Sequence, residues 1–311
     1  VGKSASEVGI VSDLYEQTMT CILRAESIGG WQALPANDIF DMDYWDLEQA
    51  KLQKGGNLPA FQGEVVLITG AASGIGKACV ESFLQRGAAV VGLDINPLIE
   101  TRVDSPAFLG IAGDIADEST QQAALEQAVR RFGGLDMVVL NAGMFPGGTH
   151  IADLKTEDWQ QVLRVNLDAN LALMRESYPL LRLAPNGGRM VVMGSKNVLA
   201  PGAGAAAYSA SKAALTQLMR IAAFEWGVDG IRINALHPDA VFYTGIWTEE
   251  VLQARATHYG MSVEEYKTRN VLKVEVTSRD VAELSAEMCG PLFAKTTAAQ
   301  LPVDGGNERV I

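Results

Sequence analysis

Cysteine, histidine and clustered positive charge are what this chain is short of. Its 311 residues hold three cysteines, Cys21, Cys79 and Cys289, far apart and with no CxxC pair. Such usage excludes a disulfide framework and implies a reducing, cytoplasmic setting. The three histidines, His150, His237 and His258, lack ligand spacing, so no metal is expected. Net charge is −12, and no Lys/Arg cluster offsets it. That field repels phosphate backbones and argues against nucleic acid as a partner. No apolar run approaches the ~18 residues of a membrane span, so no membrane partner is expected. The stretch from Val1 to Ile10 has no apolar block of the signal-peptide kind, and no initiator Met precedes it. The expectation is a portion or a processed form of a longer chain.

What is present reads as globular: 48% apolar and 20% charged residues, enough for one domain of ~250 residues with an appendage. Residues 1–60 form the appendage. An amphipathic helix is expected from Leu14 to Ser27, then a run from Asn37 to Asp46 that mixes carboxylates with aromatics. Lys54 to Pro59 reads as a linker. This extension is expected to pack its aromatic stripe on the main body or on a partner.

From Phe61 onward, strands and helices alternate. Strands are expected at 64–69, 88–94, 107–112, 135–140, 188–193, 231–236 and 299–304, with helices through Arg86, over 118–132, over 159–183 and around Tyr208. Seven such strands imply an α/β fold, a doubly wound parallel sheet covered on both faces. Ligands bind these sheets at the carboxyl ends of the strands, where strand order reverses.

Between the first strand and its helix lies Thr69-Gly-Ala-Ala-Ser-Gly-Ile-Gly76. Glycines there let a pyrophosphate approach the helix N-terminus, whose free N–H groups favour anions. The second strand ends at Asp94, a carboxylate able to accept both ribose hydroxyls and to repel a 2′-phosphate. No Arg or Lys stands at 71–73 or 95–96, which favours NAD over NADP. Asp114 with Ile115, and Asn141-Ala-Gly143, lie at the ends of the third and fourth strands, facing the same crevice. Tyr208 and Lys212, at i and i+4, share one side of a helix. There the ammonium is expected to lower a phenol pKa of about 10, making a general acid or base. Ser195 is placed to hold the reacting oxygen.

Taken together, TGAASGIG at 69–76, Asp94, Asp114, Asn141-Ala142-Gly143, Asn166, Ser195, Tyr208/Lys212 and the closing Val303-Asp-Gly-Gly306 resemble the short-chain dehydrogenase/reductase family over roughly 61–311. The resemblance implies a Rossmann fold, NAD as cofactor and a homo-oligomer, a tetramer or dimer. It implies Tyr208 as acid/base, Lys212 as the group that lowers its pKa and holds the nicotinamide ribose, Ser195 as the orienting hydroxyl, and Asn166 as the holder of a water in a proton relay. Gly70, Ser73, Gly74, Ile75, Gly76, Asp94, Asp114, Ile115, Asn141, Ala142, Gly143, Pro238 and Val241 would line the cofactor. One departure stands out. Asp239 replaces the family's glycine after Pro238, and Thr244 falls one place late, so Thr244 is not assigned.

The run His237-Pro-Asp-Ala-Val-Phe242, Ile246-Trp-Thr-Glu-Glu250 and Gly305 to Ile311 resemble more closely the dehydrogenase half of bifunctional rhamnulose-1-phosphate aldolase/short-chain dehydrogenases. On that resemblance, residues 1–60 are the remnant of an aldolase module, with no aldolase activity expected, and 61–311 are the dehydrogenase domain. The substrate implied is L-lactaldehyde, reduced to propane-1,2-diol or oxidised to lactate, in rhamnose catabolism. A sugar, polyol or polyol phosphate is the alternative substrate, and a non-catalytic NAD-binding module the alternative role. The long segment from Phe242 to Val274, with a capping box at Ser262, reads as a lid or an oligomer contact. Arg255, His258, Tyr259 and Arg269 are candidate substrate contacts within it, and Lys196 and Asn197 are further ones.

Overall fold

A computed structural model describes residues 5–45, 59–242, 244 and 247–306. Most of the expected linker, Ile246 and the last five residues lie outside that set. Seven strands form one sheet: β1 (Val65–Thr69), β2 (Ala89–Asp94), β3 (Phe108–Ala112), β4 (Met137–Leu140), β5 (Arg189–Met193), β6 (Arg232–Pro238) and β7 (Gln300–Val303). Their order is β3-β2-β1-β4-β5-β6-β7, every pair parallel. The chain therefore reverses direction across the sheet between β1 and β4, and the crevice of a doubly wound fold opens at their carboxyl ends.

Alternation along each strand builds the two faces. Val65 and Leu67 of β1 enter one core with Leu93, Val138 and Leu140. That face is covered by α4 (Glu118–Phe132), α6 (Ala169–Leu181) and α7 (Ala206–Trp226). Val66 and Ile68 enter the opposite core with Val90, Val139 and Val191, under α3 (Gly74–Gln85) and α10 (Ser278–Cys289). Strands buried on both faces must be continuously apolar, which is why they stand out in the sequence.

The long helix expected over 159–183 is interrupted. α5 (Thr156–Leu163) passes through a π-helical turn, Arg164–Asp168, before α6 begins. Ala169 N–H reaches back five residues to the Arg164 carbonyl, and the side-chain amide of Asn170 donates to the carbonyl of Asn166 at 2.9 Å. An internal side chain thus replaces part of the helical ladder, and π turns of this kind gather at functional sites.

In the extension, α1 (Ala5–Ile28) is longer than the helix expected there, and α2 (Ala36–Asp43) follows. The aromatic stripe does not pack on the main body of this chain: Trp31, Phe40, Tyr44 and Trp45 are all exposed. Phe40 stacks on Tyr44 at 4.5 Å, so the stripe satisfies itself locally instead of joining the main core.

The segment after β6 has a small core of its own. Phe242, Ala256 and Tyr266 are buried against Ala240, Trp247, Leu252 and Val263, joining α8 (Glu249–His258) to α9 (Val263–Lys267). Ser262 forms the capping box expected for it, with Glu265. Two non-glycine residues with positive φ, Ala240 at 51° and Lys273 at 56°, stand at the ends of this unit.

Candidate active site

The glycine loop joins β1 to α3 where side chains have no room. A Cβ on Gly76 would enter the van der Waals shell of the Gly70 carbonyl oxygen and lie 2.7 Å from Asn141 Nδ2. Gly70 and Gly74 have positive φ, 66° and 51°, which the turn requires. Ser73 caps α3 in an extended conformation without a side-chain cap bond, so the helix N-terminus stays open to an anion. Asp94 supports the loop from β2: one carboxylate oxygen accepts Ala72 N–H and the other accepts Asn96 N–H, each at 2.8 Å. Each oxygen keeps a lone pair for a hydroxyl. A bare loop, an open helix end and a strand-end carboxylate fit a dinucleotide without a 2′-phosphate.

Other expected cofactor residues support that cradle indirectly. Asn141 spends its amide on the carbonyls of Thr69 (2.9 Å) and Gly70 (3.3 Å), while its own N–H and that of Ala142 both donate to the Thr69 hydroxyl at 3.0 Å. The side chains of Ile115 and Val241 are buried in the two cores, leaving only their main chains to face a ligand. Asp114 is exposed and accepts Ala116 N–H at 2.9 Å. Pro238 ends β6 beside Val303 of β7. Thr244, despite its shifted place, lies against the loop: its methyl is 3.0 Å from where a Gly74 Cβ would stand.

Ser195, Tyr208, Lys212 and Asn166 come together beyond β4 and β5. The Ser195 side chain accepts Asn197 N–H at 3.2 Å and lies close enough to the Tyr208 phenol to lower its pKa. Lys212 is buried and donates to the Met193 carbonyl at 2.8 Å, and its Nζ lies 3.4 Å from where a Gly143 Cβ would stand. Its ammonium is 6.0 Å from the centroid of the Tyr208 ring. Burial pulls its pKa down to about 8.

The expected lowering of the Tyr208 pKa is not found. Burial raises it, Ser195 only partly opposes that, and the charge of Asp239 adds to the rise. Phe145 meets the Tyr208 ring edge-on at 5.0 Å, which helps keep water away from the phenol.

Asn166 is wholly buried in the π turn. Its Oδ1 accepts Met144 N–H at 2.8 Å, and its Nδ2 donates to the Met144 carbonyl at 3.0 Å and to Ser211 Oγ at 3.1 Å. The side chain is therefore occupied by protein partners and pins the loop after β4 to α7. Both amide protons and one lone pair of Oδ1 are used in this way.

His237 was not among the residues expected here. It is buried, its Nδ1 receives Ser195 N–H at 3.2 Å, and its Nε2 faces Gln300 Oε1 at 3.3 Å. Burial depresses its pKa, so the ring is neutral and fixes the backbone of Ser195. Gly194 is required beside it, since a Cβ there would run into the imidazole. Only its place just before Pro238 hints at this role.

Two cavities lie near the site, and Tyr208 lines the first of them. One, of about 120 Å³, is lined by Tyr208, Phe145, Pro146, Thr149, Leu154 and Asp158, among others. The second, of about 190 Å³, lies under the segment after β6 and includes Asp239, Tyr259, Tyr266 and Arg269. Lys196, next to Ser195, pairs with Asp239 at 3.1 Å, whereas Arg255 and His258 are exposed on α8.

Comparison with known proteins agrees with this architecture. A family model described as short chain dehydrogenase matches residues 64–254, and one described as the second domain of class II aldolase matches residues 1–52. The uncharacterized oxidoreductase YuxG of Bacillus subtilis is 32% identical over 98% of this chain, which spans 46% of that longer protein. An uncharacterized NAD-dependent oxidoreductase of Mycobacterium tuberculosis, MT0715, is 30% identical over 81% of this chain and 98% of its own length. The crystal structure of a Brucella melitensis 3-ketoacyl-(acyl-carrier-protein) reductase complexed with NADH superposes with a TM-score of 0.70. It is 26% identical and covers 81% of this chain and all of that one.

Proposed function

The chain belongs to the short-chain dehydrogenase family, and from that premise we propose that it is an NAD-dependent oxidoreductase in which Tyr208 exchanges the proton with a small hydroxyaldehyde or polyol. The observation that carries this reading is the Tyr208 phenol placed within the influence of Ser195, on the same helix as the buried Lys212 and lining a cavity of about 120 Å³. NAD, when bound, supplies or removes the hydride at the reacting carbon. The chain's share is orientation and the proton. Ser195 holds the substrate oxygen, Tyr208 gives or takes its proton, and Lys212 lies behind the phenol with a pKa near neutrality. Asn166 keeps the loop carrying Gly143 and Met144 in register with α7.

L-Lactaldehyde is the proposed substrate. The aldolase match over residues 1–52 supports it, because aldol cleavage of a deoxysugar phosphate releases a small hydroxyaldehyde. The cavity beside Phe145, of about 120 Å³, has room for a chain of three carbons. A second reading, a polyol or sugar phosphate, is favoured by the basic side chain lining the other cavity. Residues 61–311 would be the catalytic domain and 1–60 an appended aldolase-related segment. Phe224 and Val228, exposed at the end of α7 and just beyond it, support a homo-oligomer.

The test is the rate of nicotinamide reduction or oxidation with L-lactaldehyde and propane-1,2-diol across pH. A raised phenol pKa leaves Tyr208 protonated at neutral pH, the form that donates to a carbonyl. Reduction is therefore expected to be level through neutrality and to fall above pH about 8, where Lys212 loses its proton. Oxidation needs the phenolate and is expected to rise with pH over the same range. Oxidation that is fastest below neutrality would contradict the assignment of Tyr208.

A further inference from the structure

Arg269 is oriented with unusual care for a residue of a surface segment. Its guanidinium lies over the rings of both Tyr259 and Tyr266, 4.7 and 4.8 Å from their centroids, and the two rings stack on each other at 5.7 Å. It also lowers the pKa of the Tyr259 hydroxyl. Among the described residues, no carboxylate lies within ion-pair distance of it. Two of the other charges around the cavity are paired, Asp239 with Lys196 at 3.1 Å and Lys267 with Glu275 at 3.4 Å, while Asp304 accepts Gly306 N–H at 2.9 Å. Arg269 is thus a half-buried cation, with no carboxylate paired to it, in the lining of a cavity of about 190 Å³.

That cavity adjoins the reacting centre. Asp239 lines it, and the charge of Asp239 acts on Tyr208 on one side and Tyr266 on the other. Lys196 and Arg255 add their fields at Tyr259, so positive potential gathers at its hydroxyl. A planar guanidinium held by aromatic faces is suited to bidentate recognition of an oxyanion, with little rotamer freedom left to lose.

We propose that Arg269, braced by Tyr259 and Tyr266, binds an oxyanion on the substrate, a phosphate or carboxylate carried away from the reacting carbon. The inference rests on the dehydrogenase reading and selects within it a hydroxy or oxo compound with an anionic tail. The phosphate-bearing class then becomes the better substrate and an uncharged aldehyde the weaker one.

The test is calorimetric titration of the full chain, saturated with NADH, with glycerol phosphate, glycerate and glycerol. Glycerol phosphate is expected to bind the unmodified chain, with glycerate distinguishing a carboxylate preference. In Arg269→Gln, affinity for the preferred anion is expected to fall roughly 10- to 100-fold, the size expected for charge-assisted hydrogen bonds. NADH affinity should be unchanged, which also shows that the variant folds. Tyr259→Phe, which keeps the stacking and removes the hydroxyl, should give a smaller loss. Equal anion affinity in the unmodified chain and Arg269→Gln overturns the proposal, as does the absence of anion binding while NADH binds. Because the readout is heat of binding, a chain that binds the anion through Arg269 but turns over nothing would refute the dehydrogenase reading alone.

Discussion

Tyr208→Phe is expected to lower turnover by about 10²- to 10⁴-fold, the span of general acid–base catalysis, with NADH affinity almost unchanged. The substitution removes one hydroxyl. The ring stays edge-on to Phe145 at 5.0 Å, and Lys212 keeps its bond to the Met193 carbonyl at 2.8 Å, so the cradle is undisturbed. What disappears is the proton donor for the substrate oxygen, the phenol group on which Ser195 acts. Fluorescence titration with NADH beside steady-state rates separates the two effects. Retained turnover would move the acid elsewhere, and a joint loss of binding and rate would make Tyr208 a structural residue.

Gly76→Ala should instead abolish cofactor binding, with an affinity loss of about 100-fold or more, as for an angstrom-scale misplacement at a site. The added methyl meets the Gly70 carbonyl and Asn141 Nδ2, and both are tied down: Asn141 holds the end of β1 through Thr69 and Gly70. Relief requires the whole loop to shift, at a cost of about 1–3 kcal/mol for overpacking. Gly134→Ala is the control, since a Cβ there meets nothing within 4 Å. Titration with NADH and thermal melting of both variants check the contrast. Unchanged NADH affinity in Gly76→Ala would remove the loop from the cofactor site.

Why some of this could be read from the sequence follows from burial. β1, β4 and β5 carry unbroken apolar runs of four residues, 65–68, 137–140 and 190–193, because helices cover both faces of the sheet, and such runs are visible in one dimension. The helix over 118–132 has its boundaries marked by Asp117, whose side chain accepts Ser119 N–H, and by Gly133 in the left-handed region. Strand ends then carry Asp94, Asn141 and Ser195 to one edge. The π turn at Arg164–Asp168 left no such mark, because it depends on Asn166 finding Met144 and Ser211, 22 and 45 residues away. The raised Tyr208 pKa was equally hidden. Spacing brings Lys212 to the same side of the helix, but only packing shows that desolvation outweighs its field. His237 and Arg269 illustrate the same limit, one gripping Ser195 across β5 and β6, the other sorted from its charged neighbours by two tyrosine rings. The aromatics of the extension read as a stripe that packs on the main body or on a partner, and composition alone does not choose between the two.

Transfer of the hydride itself is the most direct measurement. The chain is supplied with NADH deuterated at nicotinamide C4 and with L-lactaldehyde, and the same reaction is run with dihydroxyacetone phosphate. The account predicts an alcohol product carrying deuterium on the former carbonyl carbon, formed by the unmodified chain and not by Tyr208→Phe. An alcohol without deuterium, or no alcohol from either carbonyl while NADH binds, would contradict it.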